Sequence, residues 1–216
     1  MPYRRTENVN RRLAARRDAI IAAARMLASE SGMAAVQIAD VAVRAGIATG
    51  TVYRYFPAKT DLVAALLTEI TEHEIGALQR AAAGAPGPLS ALAAAIMTFA
   101  ARALRDRRLL FAAIAEPIDA EVDAVRTAFR KALAAEFAAR ITATMAARHL
   151  PDQDAALAAA ALTGLLVEGL IGPLAPDPSG HERDIVQSLT LAALRALGVA
   201  DARARGLVVQ TAMPAA

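Results

Sequence analysis

Between residues 49 and 59 the chain carries hydroxyls at Thr49, Thr51, Tyr53 and Tyr55, a guanidinium at Arg54 and an ammonium at Lys59, with no acid among them. Every one of these groups can donate a hydrogen bond. Their shared chemistry is the recognition of phosphate oxygens and polar base edges, not the making of bonds. Gly50 lies between the two threonines and keeps that end small. A major groove admits one α-helix, and small or polar groups approach it best. Thr49, Thr51 and Arg54 are the candidates for base edges. Tyr53, Tyr55 and Lys59 are the candidates for phosphates. Gln37 and Arg44, at the two ends of the preceding helix, complete the candidate contact set with Gly50.

The elements that must position these groups are legible around them. Ile38, Val41 and Ala42 share one face at i, i+3, i+4 spacing, which predicts a short helix. Gly46 ends it, because glycine adopts a left-handed position at little cost. Ile47 then turns inward. A second short helix runs from about 48 to 55, with Val52 and Phe56 facing the core. Helix, glycine turn and polar helix form a helix-turn-helix pattern. A long helix from about 11 to 31 precedes it, with Ile20, Ala23, Ala24 and Leu27 as its buried stripe and Gly32 as its end. Residues 1–10 read as a flexible arm. Arg4 and Arg5 there have two readings, insertion into a minor groove or general phosphate attraction, and the second is preferred.

Charge supports this placement. Residues 1–60 carry ten basic and four acidic side chains, a net charge of +6. The whole chain is +3, so residues 61–216 carry −3. A basic end on a mildly acidic body is the footprint of a nucleic-acid module beside a non-binding one.

At these residues the chain resembles the TetR family of transcriptional regulators. The resemblance rests on Ala45, Gly46, Ile47, Thr51, Val52, Tyr53, Tyr55, Phe56, Lys59 and Leu62, with Gly32 upstream, and covers about residues 11–65. Two residues depart from the pattern. Gln37 stands where Ser or Thr usually caps the first short helix, and glutamine is a poor cap. Tyr55 stands where histidine is common before the phenylalanine, and it keeps the ability to donate to a phosphate.

The rest of the chain reads as helices. Its composition is rich in alanine, the best helix former, and 56% hydrophobic, which excludes general disorder. Pro57 ends the polar helix and a new one starts near Ala58, with Leu62, Leu66 and Ile70 as its stripe, reaching about Ala83. Gly84-Ala85-Pro86-Gly87-Pro88 breaks it. Further helices are expected at about 88–105, 107–115, 119–149, 152–172 and 180–198. Pro117 and Pro151 are separators, and Asp152 is read as an N-cap. The fold class is therefore all-α. Three units are expected: residues 1–57 as arm and three-helix DNA-binding domain, 58–200 as a second helical domain, and 201–216 as a flexible tail. The helix near 155–171 is apolar nearly all round, which predicts burial on most sides.

No catalytic or metal constellation is visible. His73, His149 and His181 lie in different elements and lack ligand partners at i+3 or i+4. Nucleotide-binding glycine motifs and a nucleophile elbow are absent. There is no Cys, so disulfides and thiolate sites are excluded. Asp119, Glu121 and Asp123 read as charges favourable at a helix N-terminus. Arg105, Arg107 and Arg108 read as a solvated face or a helix junction. No cofactor is expected, and neither is an enzymatic activity. The run from Ala155 to Ala175 is too rich in alanine, and too interrupted by Glu168 and Pro173, to span a membrane. A cytoplasmic location is expected.

What the family resemblance implies is a homodimer formed by the carboxy-terminal helices, double-stranded DNA with a palindromic operator as partner, and a small-molecule effector in the second domain. The corresponding function is that of a ligand-responsive regulator, most simply a repressor. The rival reading is a helical carrier of small molecules with only non-specific nucleic-acid binding. Candidate effector contacts are Phe99, Phe111 and Phe129 as apolar walls, with Arg102, Thr163 and Glu168 as polar anchors. Such walls suit a largely apolar molecule. Glu168 keeps three readings: a pair across the dimer, a ligand contact, or a carboxylate reaching solvent.

Overall fold

The computed structural model describes residues 3–116 and 120–213, and among them it contains helices and turns only. In chain order the helices are α1 (Tyr3–Ser31), α2 (Ile38–Arg44), α3 (Thr49–Tyr55), α4 (Lys59–Ala83) and α5 (Pro88–Arg105), then α6 (Arg107–Ile114), α7 (Ala120–Ala146), α8 (Ala155–Leu170), α9 (Glu182–Ala196) and α10 (Asp201–Gln210). A single 3₁₀ turn, Met33–Ala35, links α1 to α2.

The N-terminal unit closes around Ile20, Ala24, Val41, Val52 and Phe56, all buried. Each comes from the apolar side of α1, α2 or α3, or from the turn after α3, so one long and two short helices share one small core. Arg17 of α1 lies over the Phe56 ring, 5.4 Å from its centre. That contact joins the outer face of α1 to the end of α3.

The second unit is built around α5, which packs against α4, α7 and α9. Leu92, Ile96, Met97 and Phe99 on it are fully buried. Phe99 meets Phe137 of α7 edge to face, with ring centres 6.5 Å apart and planes at 88°. Helix α4 belongs to both units: it touches α1 at one end and α5 and α7 along the rest.

Several expectations need correction. Residues 3–10 are not a flexible arm but the first turns of α1. No glycine or proline interrupts the chain between Tyr3 and Ser31, so the helix has nothing to stop it. Residues 201–210 are not a flexible tail either. They form α10, which buries Ala204, Leu207 and Val208 at i, i+3, i+4 spacing. Asp201 anchors its start by pairing with Arg195 of α9 and with Arg205, 2.9 Å away. The N-cap of α8 is Asp154 rather than Asp152, with its carboxylate accepting from Ala156 and Leu157 N–H at 2.9 and 3.1 Å. Within one copy of the chain α8 is not buried on most sides: Ala156, Leu157, Ala160, Ala161 and Gly164 form an exposed stripe, with Leu157 69% exposed. Asp119 and Pro117 lie outside the described residues, and Asp123 pairs with Arg126 one turn away. The reading of Arg107 and Arg108 as a helix junction holds. Arg108 donates to the Ser31 carbonyl at 2.8 Å, and Arg107 reaches the carbonyls of Ala175 and Pro176.

Candidate nucleic-acid interface

The turn between α2 and α3 sets the interface. Gly46 sits at φ 65, the left-handed position. Ile47 N–H donates to the Ala42 carbonyl at 3.0 Å, and Gly46 N–H donates to Val43 at 3.1 Å. These two bonds make the paired closure of a Schellman ending, which satisfies carbonyls that α2 leaves open. The chain then turns sharply and enters α3 at Thr49.

On α3, Val52 is buried while Thr49, Gly50, Tyr53 and Arg54 are exposed. Tyr53 is 51% exposed although it is a large aromatic residue. Thr51, Tyr55 and Lys59 are half-buried, and Tyr55 packs against the core, so its ring is not wholly outward as the spacing suggested. None of Thr49, Thr51, Tyr53, Arg54, Tyr55 and Lys59 has a side-chain hydrogen bond or ion pair to another described residue. A surface of donors with no internal partner is a surface prepared for an external acceptor. Lys59 is the first residue of α4, so its ammonium stands at a helix start beside α3.

Two other candidate residues are already engaged. Arg44 makes a two-point contact with Glu30 of α1, at 2.7 and 2.5 Å. Hydrogen bonding to Arg44 holds the Glu30 carboxyl below its ordinary range, and the same bond raises the Arg44 guanidinium. Arg44 therefore ties α2 to α1 and helps set the angle of the module. Gln37 gives no side-chain cap to α2; its amide donates to the Ala34 carbonyl at 2.8 Å instead. Exposed Arg12 and Arg16 on α1 extend the basic surface, on the outer side of that helix where the sequence places them.

The effector candidates do not gather into one site. Phe99 and Phe129 are fully buried core, while Phe111 is half-buried on α6. The Thr163 hydroxyl donates to the Ala159 carbonyl of its own helix at 2.8 Å. Glu168 is half-buried and has a role within its own chain in addition to the three readings. Its carboxylate folds over Gly172 and accepts from Leu174 N–H at 3.1 Å, holding the chain where α8 ends. A side chain at Gly172 would collide with that carboxylate at 2.5 Å. Arg102 lines a cavity with α4, α5 and α10, while two of its nitrogens hold the buried Glu74 at 2.7 and 2.6 Å. Among the described residues, no cluster of three or more His, Asp or Glu side chains could hold a metal ion. No helix there is long and apolar enough to cross a membrane.

Comparison with known proteins matches residues 20–66 to the model of "bacterial regulatory proteins, tetR family". The transcriptional repressor KstR of Mycobacterium tuberculosis is 45% identical over 71 residues, 32% of each chain. KstR of Rhodococcus jostii is 50% identical over 52 residues, 24% of each chain. The alignments to these relatives span about a third or less of their length. Over nearly the whole chain, the solved structure of RolR with resorcinol superposes with a TM-score of 0.69 at 24% identity, covering 95% of this chain and 98% of that one. FadR of Bacillus subtilis with stearoyl-CoA gives a TM-score of 0.68 at 20% identity, covering 83% and 97%. These structural likenesses concern the fold, and the family-model match concerns the N-terminal unit that carries the donor surface. The helix-turn-helix unit at residues 20–66 thus matches that of the tetR family of bacterial regulatory proteins, and the all-α body shares the fold of RolR and FadR.

Proposed function

We propose that this protein is a dimeric, ligand-responsive repressor that binds a roughly palindromic DNA operator through α3. The observation that carries the reading is the exposed face of α3, whose donors have no internal partner, held by the Gly46 turn in a tetR-type module. Thr49, Thr51 and Arg54 read base edges, and Tyr53, Tyr55 and Lys59 hold phosphates. Residues 1–57 act as the DNA head. Residues 58–200, with α10 added to them, act as the effector and dimerisation body in the cytoplasm.

The exposed stripe of α8 supports the dimer. Leu157, Ala160, Ala161 and Gly164 form a flat apolar strip, and Ala192 and Ala196 of α9 are exposed as well. A helix with that much apolar surface gains by burying it against a twin. A two-fold dimer presents two α3 helices, so the DNA site should repeat with half-sites about one or more helical turns apart.

Relatives of this fold hold small molecules, resorcinol in RolR and stearoyl-CoA in FadR. By that likeness the present chain answers a small, largely apolar effector that lowers operator affinity. A near-complete switch needs the effector to favour the released state by about 5.5 kcal/mol. The carrier reading has no observation of its own. A gel-shift with DNA from upstream of the protein's own coding region tests the proposal. Sequence-specific retardation that a small apolar molecule relieves is expected. Indifference to sequence would favour the carrier.

A further inference from the structure

A cavity of about 550 Å³ lies between α4, α5 and the segment that begins with α10. Its floor is made of small residues. Ala77 and Ala81 face it from α4, and Ala94 and Thr98 face it from α5. Each pair is spaced i, i+4, so each lies on one face of its helix. Leu207 of α10 and Met213 beyond it form the opposite wall. The small floor residues leave room, and the wall sets Leu207 and Met213 beside the polar Gln210 and Thr211. The fully buried Phe99 is not among the residues that line this space, which is separate from the aromatic core.

Among the described residues, Arg80, Arg102 and Arg105 line this cleft, and no acid does. Arg102 is balanced by Glu74, a carboxylate only 3% exposed. Arg80 has no hydrogen bond or ion pair to any described residue. Its guanidinium lies back along α4 over Gly76, where an added Cβ would meet Nη1 at 3.1 Å. The missing side chain of Gly76 thus makes the space that Arg80 occupies. A guanidinium pairs with a carboxylate through two parallel hydrogen bonds, which a hydroxyl cannot match.

We infer that this cleft binds a small amphipathic carboxylic acid, its carboxylate on Arg80 near Arg102 and its apolar part against Leu207, Met213 and the alanine floor. This names the effector class and its site, and its regulatory consequence rests on the repressor reading above. The place suits an effector because both long walls end on the DNA head. Helix α4 starts at Lys59 beside α3. Helix α5 ends at Asp106, which accepts from the Ser29 hydroxyl of α1 at 2.6 Å.

Calorimetric titration of the full-length protein with decanoate and with decanol tests the site. Decanoate should bind, with decanol at least tenfold weaker. Arg80→Gln should weaken decanoate about tenfold and leave decanol unchanged, as expected for loss of one charged hydrogen-bonding partner. Ala94→Leu, which fills the floor, should abolish both. Circular dichroism shows that each variant is folded. Absence of decanoate binding, equal affinity for decanol, or an unaltered Ala94→Leu variant would overturn the inference. Gel-shifts of the unliganded protein test the repressor reading separately. Decanoate binding at this cleft in a protein that ignores operator DNA would support the cleft and sink only the repressor.

Discussion

In the proposed DNA-binding role, individual side chains of α3 and the start of α4 would divide into readers and holders. Arg54 is exposed and unengaged on α3, so Arg54→Ala should relax preference at one base step with little change in non-specific affinity. Lys59→Ala should weaken all duplexes alike and reduce the slope of log affinity against log salt by about one. Competition binding with single-base operator variants, repeated across salt concentrations, separates the two effects. Arg44 behaves differently because Glu30 holds it. The Glu30 carboxyl is held below its ordinary range, so the pair supports the fold above the usual glutamate value of about 4.3 and loses that support as pH falls through the lowered value. Glu30→Gln should therefore lower stability at neutral pH and flatten the acid side of the profile, so that variant and wild type converge towards pH 3, as followed by thermal unfolding from pH 3 to 7. The donor residues were legible in the sequence because their types and their place after Gly46 say what they can bind. The engagement of Arg44 was not legible. Glu30 lies fourteen positions away on another helix, and no local spacing links them.

At the scale of elements, two glycines carry different loads. Gly46 stands at φ 65 with nothing within 4 Å of an added Cβ. Gly46→Ala should cost only the backbone penalty, about 1–2 kcal/mol. Gly32 stands at φ 85, and its added Cβ would strike Glu116 at 2.7 Å and Arg108 at 2.9 Å. Gly32→Ala should cost more than Gly46→Ala in the same denaturant titration, because it also pushes α6 away from α1. That junction is a polar latch between the two units. Met33 N–H donates to Glu116 at 2.9 Å, Arg108 holds the Ser31 carbonyl, and Arg126 of α7 donates to the Glu116 carbonyl at 2.9 Å. Glu116→Ala should leave effector affinity unchanged and reduce the effect of effector on operator affinity, read by titrating each with and without the other. Most helices were legible from their stripes and breakers, since Gly32, Pro57 and the Gly84–Pro88 run interrupt the chain where the structure does. Helix α10 was missed although Ala204, Leu207 and Val208 carry the right spacing. The stripe is short and interrupted by Gly206, so its stability comes from packing on α9, which sequence spacing does not reveal. Asp152 and Asp154 offer the same capping chemistry two residues apart, and only the backbone path selects the second.

At the scale of the whole molecule, the proposed dimer would add what no single helix has, a pair of DNA heads. The exposed stripe on α8 implies a second copy, and Leu157→Glu should leave the fold intact while converting the dimer to monomers in sedimentation experiments. The apolar character of α8 was legible, but which side stays open was not, because that depends on where α7 and α9 pack. The effector candidates show the same limit. Phe99, Phe129 and Thr163 carry ligand-like chemistry in sequence, yet packing commits them to core or to their own helix. The basic N-terminal unit on an acidic body predicts DNA binding that is both sequence-dependent and steeply sensitive to salt. The most direct test is equilibrium binding of the wild-type dimer to a palindromic duplex from its own upstream region and to a scrambled duplex of equal length, over a series of salt concentrations. The account predicts that both affinities fall with salt while the palindrome stays at least a thousandfold tighter at moderate salt, on the order of typical specific over non-specific binding. Equal affinity for the two duplexes at moderate salt would contradict it.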